Sequence, residues 1–244
     1  MKSSALTTLF AACVIAVGLA GCSEEQSSTP VSDNAAQTSS SSEEGAERST
    51  PAPATQATPG QSVDLKELLE PGPLPDIALG REDAPITVVE YASLTCPHCA
   101  TFHNGTYPAL KQKYVDSGKV RFIFREFPLD NYATAGFMMA RCAEPSKYHP
   151  IIDAFFAQQR AFLDASDPFA WLQDFGKQVG FTQESLDACL SNQQLLDSVM
   201  AVRQRASEKF GVSSTPSFFI NGKIYRGAMS IEDLSKDIDP LLKG

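Results

Sequence analysis

A segment of β-branched residues near the middle of the chain restricts the fold more than any other feature. Ile86–Tyr91 opens with Ile-Thr-Val-Val, which is expected of a strand that is covered on both faces. A helix is predicted over Cys96–Ser117, with Pro108 kinking or interrupting it. Val120–Phe124 is predicted as the next strand. The sequence therefore predicts a β-α-β unit, whose crossover is right-handed in nearly all proteins.

The segments around this unit alternate between strand and helix patterns. Apolar residues at helical spacing predict a long helical section from Tyr132 to about Phe210. Asn221-Gly222 is a strong signal for a type I′ hairpin turn. The remaining predicted elements are an amphipathic stretch, an edge strand, the two hairpin strands and a last helix, in this order: Val63–Leu69, Ile77–Leu79, Ser217–Ile220, Lys223–Tyr225 and Ser230–Leu242.

The N-terminus has the pattern of an export signal. Lys2 precedes a short apolar segment that is too short for a stable membrane span. Leu19-Ala20-Gly21-Cys22 is similar to a bacterial lipobox, which implies cleavage before Cys22 and acylation of that cysteine. Residues 1–21 would then be a lipoprotein signal peptide, and the alternative is a plain secretory signal with a coincidental cysteine. Ser23 after the acylated position slightly favours the outer membrane.

Residues 22–61 are rich in Ser, Thr, Pro and Glu and contain almost no large apolar side chain. Such a segment cannot bury enough apolar surface to offset the entropy lost on ordering. We therefore expect a disordered tether between the lipid anchor and a folded domain over residues 62–244.

Charge and cysteine content limit the partners and the compartment. The net charge is −9 and the basic residues are scattered, so no basic stripe could neutralise phosphates and nucleic acid is not an expected partner. Cys13 lies in the apolar segment and Cys22 would carry lipid. The folded part keeps four cysteines, which could form two disulfides as an oxidising compartment favours: Cys96, Cys99, Cys142 and Cys189.

The motif Cys96-Pro97-His98-Cys99 opens the helix after the first predicted strand. Pro97 suits the first helical position, because its missing N–H would have no partner there. Cys96 would then lie at the helix N-terminus, where free N–H groups and the helix dipole stabilise a thiolate. His98 adds to this effect if it is protonated or aimed at the sulfur. Cys99 lies on the same helical face and could resolve a mixed disulfide.

Other uses of this motif stay open on the residues alone. A structural zinc site would need two more ligands, and there is no second such motif and only His103 and His149 as further histidines. Covalent haem attachment would need His after Cys99, where Ala100 stands. A purely structural disulfide is a third alternative, although the position between a strand and a helix favours redox chemistry.

Two segments resemble the DsbA family of thiol:disulfide oxidoreductases. They are Glu90–Cys99, with the sequence EYASLTCPHC, and Val212–Gly222, with the sequence VSSTPSFFING. The similarity runs from about Pro75 to the C-terminus. It implies an α/β thioredoxin-like fold with an α-helical subdomain inserted at about residues 130–210.

The same resemblance implies roles for individual residues. Cys96 would be the nucleophile and Cys99 the resolving thiol. Thr215-Pro216 would be a cis peptide in a loop that binds substrate backbone. Glu90 would be a buried carboxyl group that shuttles the proton of Cys99, and the alternative is a solvated strand end.

Cys142 and Cys189 are expected to pair with each other, as they do in some DsbA-like proteins of α-proteobacteria. The alternative is two buried free thiols. No metal is expected.

The implied function is an exported enzyme that introduces disulfides into client proteins, with the Cys96–Cys99 disulfide in place of a cofactor. Its partners would be unfolded or partly folded exported proteins with thiols, a membrane redox partner, and the membrane itself through the lipid anchor, facing the periplasm or the cell surface. The best-known oxidase of the family has Val where Thr215 stands, so a reductase or isomerase is the nearest alternative. A tethered chaperone or a metal-binding protein on the same scaffold is the alternative from another class.

Overall fold

A computed structural model describes residues 58–243. The predictions for the signal peptide, for Cys22 and for most of the tether lie outside these residues. The tether prediction is wrong at its C-terminal end, because Thr58–Ser62 forms a strand that pairs antiparallel with Lys223–Arg226. Hydrogen bonding to a distant strand orders this segment, whose own sequence has no strand pattern. No helix of residues 58–243 is long and apolar enough to cross a bilayer.

The strands of the described residues form one mixed sheet in the order β1-β6-β5-β3-β4-β2. β3 and β4 are parallel, and every other pair is antiparallel. The two strands of the predicted β-α-β unit, β3 and β4, are therefore neighbours inside the sheet, flanked by β5 and β2. The six strands are β1 (Thr58–Ser62), β2 (Ala78–Leu79), β3 (Ile86–Ala92), β4 (Val120–Glu126), β5 (Ser217–Ile220) and β6 (Lys223–Arg226).

Five of the helices lie between β4 and β5, where the long helical section was predicted. The last helix follows the hairpin, also as predicted. The helices are α1 (Leu65–Leu69), α2 (Pro97–Thr101), α3 (Tyr107–Leu110), α4 (Asn131–Cys142), α5 (Tyr148–Leu163), α6 (Pro168–Gln178), α7 (Gln183–Leu190), α8 (Gln193–Phe210) and α9 (Ile231–Leu241).

The helical segment after β3 is interrupted where Pro108 was expected to interrupt it. A π-helical turn, Phe102–Thr106, joins α2 to α3, and a second one, Lys111–Val115, follows α3. Pro108 has no N–H to donate to the preceding turn, and the N–H of Tyr107 donates instead to the carbonyl of Phe102. The wider turn thus absorbs the missing hydrogen bond.

Strand β3 is covered on both faces, which confirms the expectation from its β-branched residues. All seven of its residues are buried. Val88 and Ala92 belong to the larger apolar core, which includes residues of α2 to α7, whereas Val89 and Tyr91 belong to a second core with residues of α1 and α8. A strand in this position holds the start of α2 rigidly between the two cores.

The hairpin between β5 and β6 has the predicted turn. Asn221 and Gly222 both have positive φ, at 45° and 87°, as a type I′ turn requires. A Cβ atom at Gly222 would lie 2.4 Å from the carbonyl oxygen of Val63. Only glycine therefore fits this turn and the chain that crosses it.

A disulfide joins two helices of the inserted subdomain. Cys142 at the end of α4 is bonded to Cys189 in α7, with a Cα–Cα distance of 6.0 Å and a sequence separation of 47. This is the pairing that the family resemblance implied.

Replacing both cysteines of this pair, as Cys142→Ala with Cys189→Ala, is expected to lower the free energy of unfolding by about 4 kcal/mol, because the disulfide closes a long loop in the unfolded chain. Urea unfolding measures this change. Both proteins should carry Cys96→Ser and Cys99→Ser, so that only one pair of cysteines differs. Equal unfolding free energies would show that the disulfide does not constrain the unfolded state.

Candidate active site

Cys96 lies between β3 and α2, directly before the first residue of the helix. The short loop after β3 is closed by a hydrogen bond from the Cys96 N–H to the carbonyl of Ser93, at 3.1 Å. Cys96 has extended dihedral angles, and Pro97 is the first helical residue. Cys96 is therefore the N-cap residue, and its sulfur lies where the helix presents unused N–H groups.

The surroundings of Cys96 favour its thiolate. Its pKa is lowered to about 5, mainly by the Cys99 thiol, with help from Thr215 and from the backbone N–H groups of His98 and Cys99, all of which outweigh the opposing effect of burial. When protonated, the Cys96 thiol donates to the carbonyl oxygen of Thr215 at 3.3 Å. At neutral pH the reduced protein therefore carries a thiolate at Cys96.

Cys99 has the opposite surroundings. It has no exposed surface, and burial raises its pKa well above 9, with further increases from Cys96 and from the charge of Glu90. Cys99 therefore stays a neutral thiol beside the Cys96 thiolate. Both cysteines are unbonded in this structure.

Glu90 lies in the middle of β3 and is fully buried. Its backbone neighbours are Phe124 in β4 and Phe218 in β5. Its Oε2 atom lies 3.0 Å from Nε2 of His103. Burial raises the pKa of Glu90, and His103 opposes this effect without cancelling it. The alternative of a solvated strand end is therefore wrong.

His103 is a residue of this site that the sequence analysis considered only as a metal ligand. It is buried and stacks on Phe156, with 4.2 Å between ring centroids. Burial alone would lower the pKa of His103, but Glu90 and Asp153 outweigh it and raise the pKa to about 9. The spacing of four residues from Cys99 places His103 one helical turn further on, and this spacing was the available signal.

Gln159 in α5 ties the inserted subdomain to the active-site loop. Its buried carboxamide donates to the carbonyl oxygens of Leu94 and Cys96, at 2.7 and 2.9 Å. These contacts hold the loop on which the position of the Cys96 sulfur depends. No sequence pattern indicates this role, because the contacts join residues more than 60 positions apart.

The loop before β5 completes the site. The Thr215–Pro216 peptide is cis, Pro216 is buried and Thr215 is half-buried. Pro97 and His98, in contrast, are exposed. The structure thus brings Cys96, Cys99, Glu90 and Thr215 together, while the side chain of His98 lies at the surface.

The fold and the site have counterparts among known proteins. Residues 74–240 match the family model Thioredoxin_4, described as thioredoxin. Wolbachia pipientis alpha-DsbA1 is 32% identical, with a TM-score of 0.67 over 74% of this chain and 96% of that chain. The chain belongs to the DsbA-type thioredoxin family. The family that the two sequence segments resembled, and the thioredoxin-like fold with its helical insertion, are thereby confirmed.

Other proteins similar to this DsbA-type chain differ in sequence identity and in the share of each chain that the match covers. A protein-disulfide isomerase from Novosphingobium aromaticivorans is 28% identical, with a TM-score of 0.63 over 70% of this chain and 100% of that chain. A Rickettsia bellii protein provisionally named a protein-disulfide oxidoreductase is 33% identical over 169 residues. The match covers 69% of this chain but only 65% of that relative.

The low pKa of Cys96 predicts the pH dependence of its reactivity. Alkylation of the reduced protein by iodoacetamide should keep an almost constant rate from neutral pH downwards and fall to half near pH 5, because the thiolate is the reactive form. The site of modification is read by mass spectrometry. The Cys96→Ala variant is the control and should lose this fast reaction. A midpoint near pH 8.5 would contradict the stabilisation described above.

Proposed function

We propose that this protein introduces disulfides into client proteins through Cys96 and Cys99, with no cofactor beyond that pair. The contrast between the two sulfurs carries this proposal. A thiolate is stabilised at Cys96, and a neutral thiol is stabilised at Cys99. This contrast favours the reduced form of the enzyme over its disulfide, and an enzyme with a stabilised reduced form is an oxidant towards its clients.

The reaction follows from the positions of the two sulfurs. A client thiolate attacks Sγ of Cys96 in the enzyme disulfide, the bond to Cys99 breaks, and Cys99 leaves as a thiolate that takes up a proton. A second thiolate of the client then attacks the client sulfur of the mixed disulfide and releases Cys96 as a thiolate. Two electrons pass from the client to the enzyme, and the Thr215–Pro216 loop would hold the client backbone during this exchange.

The reduced enzyme must be reoxidised before it can act again. We propose a membrane oxidase as this partner, and unfolded or partly folded exported proteins with thiols as the clients. Thr215 is the residue that supports the reverse direction, since reductase and isomerase relatives carry Thr before this proline. The reduction potential separates the two directions.

The potential of the Cys96–Cys99 pair is expected to lie near about −120 mV, the value of a strong dithiol oxidase, rather than near about −270 mV, the value of thioredoxin. Equilibration in glutathione buffers, followed by alkylation and mass spectrometry, measures it. The reduced protein should also melt at a higher temperature than the oxidised protein at pH 7. A value near −270 mV would assign the protein to the reductases.

The assignment of the nucleophile has its own test. Cys99→Ser should accumulate mixed disulfides with client proteins at Cys96, because the resolving thiol is gone, whereas Cys96→Ser should form none. Non-reducing gels and mass spectrometry of the trapped species distinguish the two variants. If Cys99→Ser traps nothing and Cys96→Ser keeps full activity, the protein acts as a chaperone or a metal-binding protein on this scaffold.

We propose in addition that the protein is a lipoprotein held in a membrane through Cys22, facing the periplasm or the cell surface. The support is the sequence Leu19-Ala20-Gly21-Cys22 and the polar residues that follow it. Cys22→Ser should move the protein from the membrane fraction to the soluble fraction of a bacterial host and leave its thiol chemistry unchanged. Detergent phase partitioning checks this, and an unchanged membrane fraction would contradict the lipid anchor.

A further inference from the structure

Three side chains lead from the buried thiol of the active site towards solvent. Glu90 is fully buried and close enough to Cys99 for its charge to raise the pKa of that thiol. His103 follows it, with Nε2 at 3.0 Å from Oε2 of Glu90. Asp153 on α5 is next, with Oδ1 at 3.7 Å from Nδ1 of His103 and with 49% of its side chain exposed. These three groups therefore extend from the core to the surface.

Two atoms of this arrangement are buried and have no hydrogen-bond partner. They are Oε1 of Glu90 and Nδ1 of His103. An unpartnered buried polar atom is costly and calls for an explanation. Each of these two atoms is free to carry a proton, because the Oε2–Nε2 hydrogen bond between the same residues does not use either of them.

We propose that Glu90 and His103 share one exchangeable proton, held at Oε1 or at Nδ1, and that Asp153 is the group through which solvent replaces it. The proposal rests on the thiol–disulfide function proposed above, since only a redox cycle at Cys99 would consume and return this proton. It deepens that function by naming the residues that compensate the charge of Glu90.

The cycle balances in both directions. When Cys99 leaves as a thiolate, Glu90 gives it the proton from Oε1 and becomes a carboxylate. His103 keeps its proton at Nε2, hydrogen-bonded to Oε2, and takes a second proton from solvent at Nδ1 beside Asp153. On reoxidation Cys99 returns its proton to Oε1, and Nδ1 releases one to solvent. The imidazole ring never has to turn over, and the core never holds an uncompensated carboxylate.

The groups around His103 fit this exchange. Glu90 faces it from β3, and the ring of Tyr107 in α3 packs against it in a tilted arrangement, with 4.9 Å between ring centroids. On α5, Asp153 and His149 face it, and burial lowers the pKa of His149, so that His149 does not compete as a base of equal strength. A surface groove lined by Tyr107, Lys111, His149 and Asp153 opens at this end of the pair. Water therefore reaches Asp153 through this groove.

The charge of His103 in the two redox forms tests the proposal directly. Nitrogen NMR of the full-length protein with labelled histidine, assigned with His98→Gln and His149→Gln, reports protonation at Nδ1 and Nε2. We expect both nitrogens of His103 to be protonated at pH 7 in the protein reduced with dithiothreitol, and only Nε2 in the protein oxidised chemically. An identical protonation state in both forms would overturn the proposal.

Asp153→Asn tests the solvent side of the same pair, and its position at the surface leaves the core intact. We expect the resolution of a mixed disulfide with glutathione to become about threefold to tenfold slower at pH 7, a small part of what general acid–base catalysis contributes. The pH at which His103 titrates should fall. The matched control is Asp174→Asn on α6, an acid that pairs with Lys177 at the surface.

The two variants test the role of Asp153, and the wild-type protein separates the proton proposal from the proposed function. If Asp153→Asn and Asp174→Asn both behave as the wild type in rate and in the titration of His103, Asp153 has no part in the exchange. If the wild-type protein oxidises no dithiol while the charge of His103 still changes with the redox state, the function of the site is wrong and the shared proton is retained. If the wild-type protein oxidises dithiols but the charge of His103 is the same in both redox forms, the proposed function is retained and the shared proton is wrong.

Discussion

The start of the helix at Pro97 places Cys96 and Cys99 in two different environments, and the rest of the site depends on that difference. Cys96 meets the Cys99 thiol, the Thr215 loop and backbone N–H groups, which together lower its pKa to about 5. Cys99 meets the apolar core, which raises its pKa. The two cysteines are only three residues apart, about one helical turn. That separation is enough to give them different surroundings, provided that the start of the helix cannot move. Gln159, through its hydrogen bonds to the active-site loop, and the buried strand β3 supply that restraint.

Burying Glu90 and His103 beneath Cys99 is expensive for the fold. A buried ion pair recovers its desolvation cost only when every polar atom is satisfied, and an apolar pair of similar size is often more stable. Here one atom of each residue has no partner. Stability alone therefore does not account for this pair, whereas the proton exchange proposed above for Cys99 gives it a chemical use. In that proposal, the unfavourable burial of Glu90 and His103 lies beside Cys99, the thiol that exchanges the proton.

Local patterns in the sequence were sufficient for most of the fold. The β-branched residues of β3, the Asn221-Gly222 turn and the helical spacing over Tyr132–Phe210 each act over a few residues, and the structure has all three. Strand β1 could not be predicted, because Thr58–Ser62 contains Pro and Gly and its order comes from pairing with β6. His103 and Gln159 were missed for a similar reason, since their partners come from other elements.

The direction of electron flow is the part of the function that no single residue decides. A difference of 30 mV in the potential of a dithiol corresponds to about 1.4 kcal/mol, so the interval between about −120 and −270 mV corresponds to about 7 kcal/mol. One hydrogen bond to a charged group contributes about 1.5 to 3 kcal/mol. Exchanging the Thr215 hydroxyl for a methyl group can therefore shift the potential by less than half of this interval. For the oxidase proposed above, the N-terminus of α2, the burial of Cys99 and the protonation of Glu90 would have to supply the rest together.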